Sequence, residues 1–227
     1  MAKRDPNDSA AFSFLPAELA ADLIACSRPV RLAPEQTLFS AGDPGDGCYW
    51  IVDGLLKVTV ESASGGQRIL AVLGPGTLVG EAAIIDGAPR SASVHAVRES
   101  RLAHVTKTAF DAFASKHPDV YRYISVLLMR RLRDIDAALA ATSFLPLKGR
   151  VARALLSLAD AFGKDVGGGR IVIQQKINQS DLAAMAGIAR ENVNRILRDW
   201  VRGKMVTRLS GYYCLENKAA LAKELGP

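Results

Sequence analysis

Two charged residues near the middle of the chain, Glu81 and Arg90, have eight residues between them in the segment LVGEAAIIDGAPRSASV. A glutamate can accept a hydrogen bond from a ribose hydroxyl, and an arginine offers a bidentate charge to a phosphate. Around them stand a glycine that permits close backbone approach, a short helical turn with free N–H groups, and a hydroxyl. This set predicts a site for a cyclic phosphodiester, although a Glu–Arg pair alone is more often a surface or structural pair. The candidate ligand-binding residues in this segment are Gly80, Glu81, Ala82, Arg90 and Ser91.

A second cluster of polar side chains lies near the end of the chain, in QSDLAAMAGIARENVNRILRDWV. The apolar spacing predicts two helices, with Ser180 capping the first and Gly187 forming the turn between them. At about 3.6 residues per turn, the second helix places Val193, Ile196 and Trp200 on one face. The opposite face is polar and carries Arg190, Glu191, Asn194 and Arg195.

This polar face matches the hydrogen-bonding groups of DNA bases in the major groove. Guanine N7 and O6 form a pair of acceptors for arginine, and cytosine N4 is a donor for glutamate. A helix that presents Arg190, Glu191 and Arg195 within two turns can therefore read G and C edges directly. The alternative is a solvated face with an intrahelical Glu191–Arg195 pair, but such a face does not require the adjacent turn glycine and hairpin. The predicted DNA-binding residues are Ser180, Arg190, Glu191, Asn194 and Arg195, and the candidate phosphate contacts are Lys176, Arg198 and Arg208.

The distribution of charge supports a polyanionic partner for the same region. The chain of 227 residues has a net charge of +6. Residues 147–227 contain 14 Lys and Arg against 7 Asp and Glu, whereas residues 1–146 contain 15 against 16. All of the excess positive charge therefore lies in the last third, as expected for a segment that binds nucleic acid. A basic domain without a nucleic-acid partner would have a similar balance.

Composition and motifs argue against several classes of protein. The N-terminal MAKRDPNDSA lacks the apolar core of a signal peptide, and no apolar run reaches the roughly 18 residues of a membrane span. Cys26, Cys48 and Cys214 are scattered and odd in number, which indicates a reducing compartment without a disulfide framework or a metal site. Because the chain has no nucleophile elbow, zinc motif or GxxxxGK loop, it is not expected to be an enzyme. We expect a cytoplasmic protein with no membrane partner.

Changes in sequence pattern indicate the elements that must position these residues. Residues 13–28 have helical spacing, and after Pro29 short β-rich runs alternate with Gly, Pro and Asp turns, which predicts a compact antiparallel roll. After Pro146 the order of helix, strand, two helices and hairpin predicts a winged helix-turn-helix. The predicted fold class is α+β, with a β-roll over 1–117, a long helix over 118–145 and a winged helix-turn-helix over 146–227.

The long helix carries an apolar stripe with three- and four-residue steps. Its members are Ile124, Leu128, Leu132, Ile135 and Leu139. A stripe of this kind requires an apolar partner. That partner is either the β-roll of the same chain or, as the length of the helix favours, the same helix of a second subunit. We therefore expect a homodimer formed through residues 118–145.

Two of these segments resemble segments of a known family. GIARENVNRIL is similar to the recognition helix of the catabolite activator branch of the Crp/Fnr superfamily, whose R-E-x-x-x-R pattern reads a TGTGA half-site. Arg190, Glu191 and Arg195 match that pattern, and LVGEAAIIDGAPRSASV is similar to the phosphate-binding cassette of cyclic-nucleotide-binding domains. The resemblance implies a cyclic-nucleotide-binding β-roll that controls DNA binding. It also implies cAMP or cGMP as the effector, and double-stranded DNA and RNA polymerase as partners.

The long helix departs from the family pattern where the base of the nucleotide would bind. The family's Arg-Arg-Leu is present at residues 130–132, but the Thr-Ser pair that bonds adenine is replaced by Ile135 and Asp136. An ionised aspartate only accepts hydrogen bonds, and guanine offers adjacent N1–H and N2–H donors where adenine has an acceptor. Asp136, or its neighbour Asp134, is therefore predicted to favour cGMP; alternatively, both aspartates are solvated or paired with arginines. The helix thus adds Arg131, Ile135 and Asp136 to the predicted nucleotide site.

Three other interpretations remain open at this point. A superfamily member with a degenerate pocket would bind DNA without any nucleotide. A haem-based gas sensor would use His95, His104 or His117, although none of these lies in a ligand motif. A subunit that binds nucleotide to control a kinase or a channel would not need the C-terminal winged helix.

Overall fold

The structure, a computed structural model, describes residues 14–63 and 65–226. The chain divides into two compact units between Arg133 and Asp134. The boundary falls within a helix of 25 residues, α4 (Val120–Phe144). The other elements of the first unit are α1 (Ala17–Ala25), β1 (Arg28–Leu32), β2 (Thr37–Phe39), β3 (Gly47–Asp53), β4 (Leu56–Glu61), β5 (Gln67–Leu73), β6 (Leu78–Val79), α2 (Glu81–Asp86), β7 (Ser93–Ala96), β8 (Ser100–Thr106) and α3 (Lys107–Lys116).

The strands of the first unit form two antiparallel four-stranded sheets. Their orders are β1-β8-β3-β6 and β2-β7-β4-β5. Side chains alternate across β3, since successive residues of a strand point to opposite faces. Tyr49 and Ile51 pack in the cluster inside the roll, whereas Cys48 and Trp50 pack in a second cluster with the helices. The predicted antiparallel roll is therefore confirmed, and its two-sided burial explains the apolar run CYWIV.

Three helices cover the outer face of this roll. Leu23 of α1, Phe110 of α3 and Ile124 of α4 are buried in the same apolar cluster as Trp50. The leading helix is shorter than the predicted span of 13–28, because β1 already begins at Arg28. Pro29 disfavours helical geometry in the residue before it, which ends the helix early. Position 13 of that prediction lies outside the described residues.

The second unit has the order predicted for a winged helix-turn-helix. After the end of α4 it contains α5 (Leu147–Phe162), β9 (Gly163–Asp165), β10 (Ile171–Ile173), α6 (Gln179–Ala186), α7 (Arg190–Arg202), β11 (Val206–Leu209), β12 (Tyr212–Leu215) and α8 (Lys218–Lys223). The strands form one sheet in the order β11-β12-β10-β9. The predicted α+β fold class is confirmed. Among the helices that the structure describes, none is both long and apolar enough to cross a membrane.

The apolar stripe of α4 changes its environment along the helix. Ile124 is buried, and Leu128 packs partly buried against the core of the first unit. Further along, Leu132 is 47% exposed, Ile135 51% and Leu139 67%. Within the first unit, the roll therefore covers Ile124 and part of Leu128 and leaves Leu132 exposed.

Candidate functional site

Arg90 is a buried arginine with partners on three sides. Its Nη1 donates to the Gly80 carbonyl at 2.8 Å, and its Nη2 donates to Asp46 Oδ1 at 2.6 Å. The guanidinium also lies 4.2 Å from the centre of the Phe39 ring, a cation–π contact. Only 4% of the residue is exposed, and its Nε has no hydrogen-bond partner. The arginine is therefore held in a fixed orientation, and its Nε–H donor is unused.

Glu81, directly after Gly80, is hydrogen-bonded to Arg131, which lies fifty positions further along the chain. Its Oε1 accepts a hydrogen bond from Nη1 of Arg131 on α4, and Arg131 Nη2 donates to the Leu78 carbonyl at 2.6 Å. Glu81 is only 2% exposed, and its Oε2 has no hydrogen-bond partner. The structure thus joins two residues of the predicted site, and it leaves one buried carboxylate oxygen available.

Gly80 connects these two side chains and cannot carry a side chain of its own. Its φ is +80°, a left-handed conformation that glycine adopts readily. A Cβ at this position would lie 2.4 Å from Arg90 Nη1. The glycine therefore makes room for the arginine and is the N-cap of α2, on which Glu81 and Ala82 lie.

A polar group that the sequence argument did not identify orients Arg90. Asp46 accepts from the Tyr49 hydroxyl at 3.2 Å as well as from Arg90, and its Oδ2 is 3.5 Å from His104 Nε2. The His104 ring stacks on Tyr49 with centroids 4.4 Å apart. Burial, together with the charge of Asp46, raises the pKa of Tyr49 to about 12, so its hydroxyl remains a donor. The sequence contains a sign of this group in AGDPGDGCYW, because Asp46 stands directly before the strand β3 that carries Tyr49.

The thiol of Cys48 is buried on β3 and is held in its protonated form. Burial raises the pKa of its thiol, and the negative charge of Glu81 raises it further. A protonated thiol is a poor nucleophile and a poor metal ligand. Among the residues that the structure describes, no group of three or more His, Cys, Asp or Glu side chains is placed to hold a metal ion.

The remaining residues of the predicted nucleotide site are distributed over both units. Ala82 is half-buried in the first turn of α2, and Ser91 is exposed directly after Arg90. Ile135 and Asp136 belong to the second unit and are exposed on α4. The structure therefore brings Gly80, Glu81, Arg90 and Arg131 together.

The helix-turn-helix contains the predicted turn but a different cap. Gly187 ends α6 with a φ of +65°, as predicted. Asn178, rather than Ser180, caps α6, because its Oδ1 accepts from the Asp181 N–H at 2.7 Å. Its Nδ2 also donates to Asp181 Oδ2 at 2.6 Å. The Asn-x-x-Asp spacing was a visible sign of this cap, and Ser180 lies exposed in the first turn of the helix.

Helix α7 has the two faces that the sequence predicts. Val193, Ile196 and Trp200 are buried, with 0%, 3% and 2% of each residue exposed. The exposed residues on the other side are Arg190, Glu191, Asn194, Arg195 and Arg198. The apolar face anchors the helix in the second unit, and its polar side chains are free to contact a ligand.

The polar face of α7 does not contain the intrahelical Glu191–Arg195 ion pair that was considered as an alternative. Arg195 Nη2 donates instead to Asn192 Oδ1 at 3.1 Å. Within the described part of the chain, Arg190 and Glu191 form no side-chain hydrogen bond or ion pair. Lys176, between β10 and α6, lies 5.4 Å from the centre of the Tyr212 ring on the adjacent hairpin. Arg208 lies exposed on β11 of the same hairpin.

Comparison with known proteins identifies both units. Residues 29–117 match the profile of the cyclic nucleotide-binding domain, and residues 149–224 match that of the Crp-like helix-turn-helix domain. The chain is 31% identical over 197 residues to the CRP-like cAMP-activated global transcriptional regulator of Mycobacterium tuberculosis, covering 87% of this chain and 84% of that protein. It is 35% identical over 196 residues to the cyclic AMP receptor protein of Thermus thermophilus, covering 86% and 87%.

A solved structure shares the fold. FixK2 from Bradyrhizobium japonicum superposes with a TM-score of 0.78 at 16% identity, covering 88% of this chain and 98% of that chain. At that identity the likeness concerns the fold alone, whereas the relatives above establish kinship by sequence. The chain therefore belongs to the Crp/Fnr family of DNA-binding transcription regulators, which are not enzymes.

Proposed function

We propose that this regulator binds a cyclic nucleotide in its β-roll and, as a homodimer, recognises a TGTGA-like palindrome. One observation carries the proposal for the ligand. Glu81 and Arg90 are both buried next to Gly80, and each retains a polar atom without a partner. An unpaired buried polar group costs about 1–3 kcal/mol, which a bound ligand with matching groups would recover.

Each residue at this site fits one part of a cyclic nucleotide. The Arg90 guanidinium and the Ser91 hydroxyl would hold the phosphate, and Glu81 Oε2 would accept from the ribose hydroxyl. Arg131 would keep the Glu81 carboxylate in place, because it already occupies the other oxygen. When bound, the nucleotide would supply a negative phosphate and a base. The two relatives described above have names that include cAMP.

The exposed part of the α4 stripe supports the homodimer. Met129, Leu132, Ile135 and Leu139 are each between 47% and 67% exposed and follow one another at three- and four-residue steps. Apolar side chains in this arrangement are typical of the seam between paired helices. A two-fold dimer would present two α7 helices to successive major grooves, roughly 34 Å apart, which requires a palindromic site. RNA polymerase is the expected further partner.

Calorimetry and DNA binding together test the proposal. cAMP and cGMP are titrated separately into nucleotide-free protein, and binding to a TGTGA-containing palindrome is then measured with and without the preferred nucleotide. We expect micromolar or tighter binding of one nucleotide, stronger DNA binding in its presence, and a particle of twice the 24.2 kDa chain mass. DNA binding that ignores both nucleotides would instead identify a ligand-independent regulator with a degenerate pocket.

The same titration tests the preference for the base. Asp136 is exposed on α4, and an acceptor-only carboxylate favours the N1–H and N2–H donors of guanine. We therefore expect wild-type protein to prefer cGMP, and Asp136→Ala to lower that preference about tenfold, the effect of losing one hydrogen bond to a charged group. Asp134→Ala, two residues earlier on α4, tests the other candidate aspartate in the same titration. An unchanged ratio of cGMP to cAMP affinity in Asp136→Ala would contradict this assignment.

A further inference from the structure

A groove of about 750 Å³ lies in the second unit between α7 and the wing strand β11. Four arginines and a tyrosine of β12 are among the residues that line it. The polar side chains that line it include Asn194, Arg195, Arg198, Arg202, Arg208 and Tyr213. The single acidic residue among those that line it is Asp199, so the lining has an excess of positive charge.

Tyr213 is the unusual member of this lining. The residue is fully buried, and its hydroxyl has no hydrogen-bond partner. Burial raises the pKa of this hydroxyl, so it remains protonated and able to donate. Leaving such a group unpaired is unfavourable, and the folded chain by itself does not satisfy it. An acceptor group on a bound ligand would satisfy it.

Arg208 is placed to share that acceptor. Arg208 and Tyr213 face each other across the β11–β12 pair, and the guanidinium carbon lies 5.8 Å from the centre of the Tyr213 ring. Directly opposed residues in an antiparallel pair lie on the same face of the sheet. Arg208 is exposed, and an anion at the buried hydroxyl would require its guanidinium to move off the Tyr213 ring.

The arginines of the groove differ in whether a carboxylate of the chain already balances their charge. Arg202 Nη2 is 2.5 Å from Asp199 Oδ1, and Arg195 donates to Asn192. Within the described residues, Arg198 and Arg208 have no carboxylate partner. Arg195, Arg198 and Arg208 therefore keep an uncompensated positive charge, and of these Arg208 lies against the Tyr213 ring.

We propose that this groove holds one backbone phosphate of bound DNA, with the Tyr213 hydroxyl and the Arg208 guanidinium as its donors. This inference rests on the proposed function, in which Asn194 and Arg195 face the DNA. Both residues also line the groove, so a duplex that lies against α7 brings its phosphates to this place. A phosphodiester oxygen accepts from a neutral hydroxyl and a cation at once, and such contacts position a protein without reading sequence.

Tyr213→Phe tests the proposal because it removes only the hydroxyl. DNA affinity should fall about tenfold, by the same factor for the palindrome and for a scrambled duplex, since a phosphate contact carries no sequence information. The melting temperature should stay the same or rise, because the lost group had no partner in the free protein. Tyr212→Phe, on the opposite face of β12, is the matched control and should bind DNA like wild type.

Salt dependence separates the two donors. Arg208→Gln should reduce the slope of log K against log salt by about 1, because one phosphate contact is lost. Tyr213→Phe should leave that slope unchanged, since it removes no charge. Unaltered DNA affinity in Tyr213→Phe would overturn the inference, and so would a loss of affinity accompanied by a lower melting temperature.

Two further outcomes keep this inference distinct from the proposed function. In the first, inorganic phosphate at constant ionic strength raises the melting temperature of wild type but not of Tyr213→Phe, and the two proteins bind DNA with equal affinity. The groove would then bind a small free anion, and the inference would be overturned. If wild type prefers the palindrome and Tyr213→Phe behaves identically, only this inference fails. A wild-type chain without any DNA binding would overturn both.

Discussion

Replacing Arg90 by lysine is expected to weaken cyclic-nucleotide binding at least 30-fold. Lysine retains the positive charge, but a single ammonium group cannot reproduce the fork that donates to Gly80 and Asp46 while facing a ligand. Truncating one side of a buried, hydrogen-bonded charge pair costs about 2 kcal/mol or more, which corresponds to roughly 30-fold in affinity. The measurement is the calorimetric titration of wild type and Arg90→Lys with cAMP and cGMP.

Arg98→Lys is the control for this substitution. Arg98 lies in the loop before β8 and pairs with Asp53 at 3.3 Å, with 45% of its side chain exposed, so its replacement should leave the affinity unchanged. Thermal melting shows whether Arg90→Lys remains folded. Should Arg90→Lys fail to fold, the isosteric Glu81→Gln gives a second test, because it weakens acceptance from a ribose hydroxyl. Wild-type nucleotide affinity in a folded Arg90→Lys protein would refute the placement of the phosphate.

Replacing Arg190 by alanine is expected to remove most of the discrimination at one G·C pair of each half-site. Arg190 is the first residue of α7, is exposed, and has no side-chain partner among the described residues, so its guanidinium is available for guanine N7 and O6. A bidentate contact is worth about 1–3 kcal/mol of discrimination, roughly 5- to 150-fold. Fluorescence anisotropy with the palindrome and with a version changed at that pair measures the loss of preference.

The controls for Arg190→Ala separate base reading from charge. Arg122→Ala removes an exposed arginine from α4 in the first unit and should leave the preference intact. Tyr213→Phe should weaken both duplexes equally, whereas Arg190→Ala should weaken the palindrome far more than the changed duplex. If Arg190→Ala kept the wild-type ratio between the two duplexes, another residue would read that base pair.

Local patterns in the sequence were sufficient for the DNA-binding helix. Its two faces follow from the 3.6-residue period, and the turn before it follows from Gly187, because both depend on residues within one or two turns. The cap was the local feature assigned wrongly. Asn178 and Ser180 are both good capping residues, and the choice depends on where the backbone leaves its extended conformation.

The motif around Gly80 was also visible in the sequence, but its partners were not. Glu81 bonds to Arg131 and Arg90 bonds to Asp46, across separations of 50 and 44 residues. Such pairs arise only once the two sheets close into a roll and α4 packs against it, since no local rule sets contacts at that distance. For the same reason, the sequence could not show which part of the α4 stripe would remain exposed.

The sequence by itself therefore determined the elements, the family motifs and the polar face of α7, because helical periodicity and turn chemistry act over a few residues. Only the tertiary structure decided which polar atoms remain without partners. Burial and hydrogen bonding are properties of the packed chain, so the free oxygen of Glu81 and the free hydroxyl of Tyr213 appear only there. These unsatisfied groups mark the two proposed ligand sites.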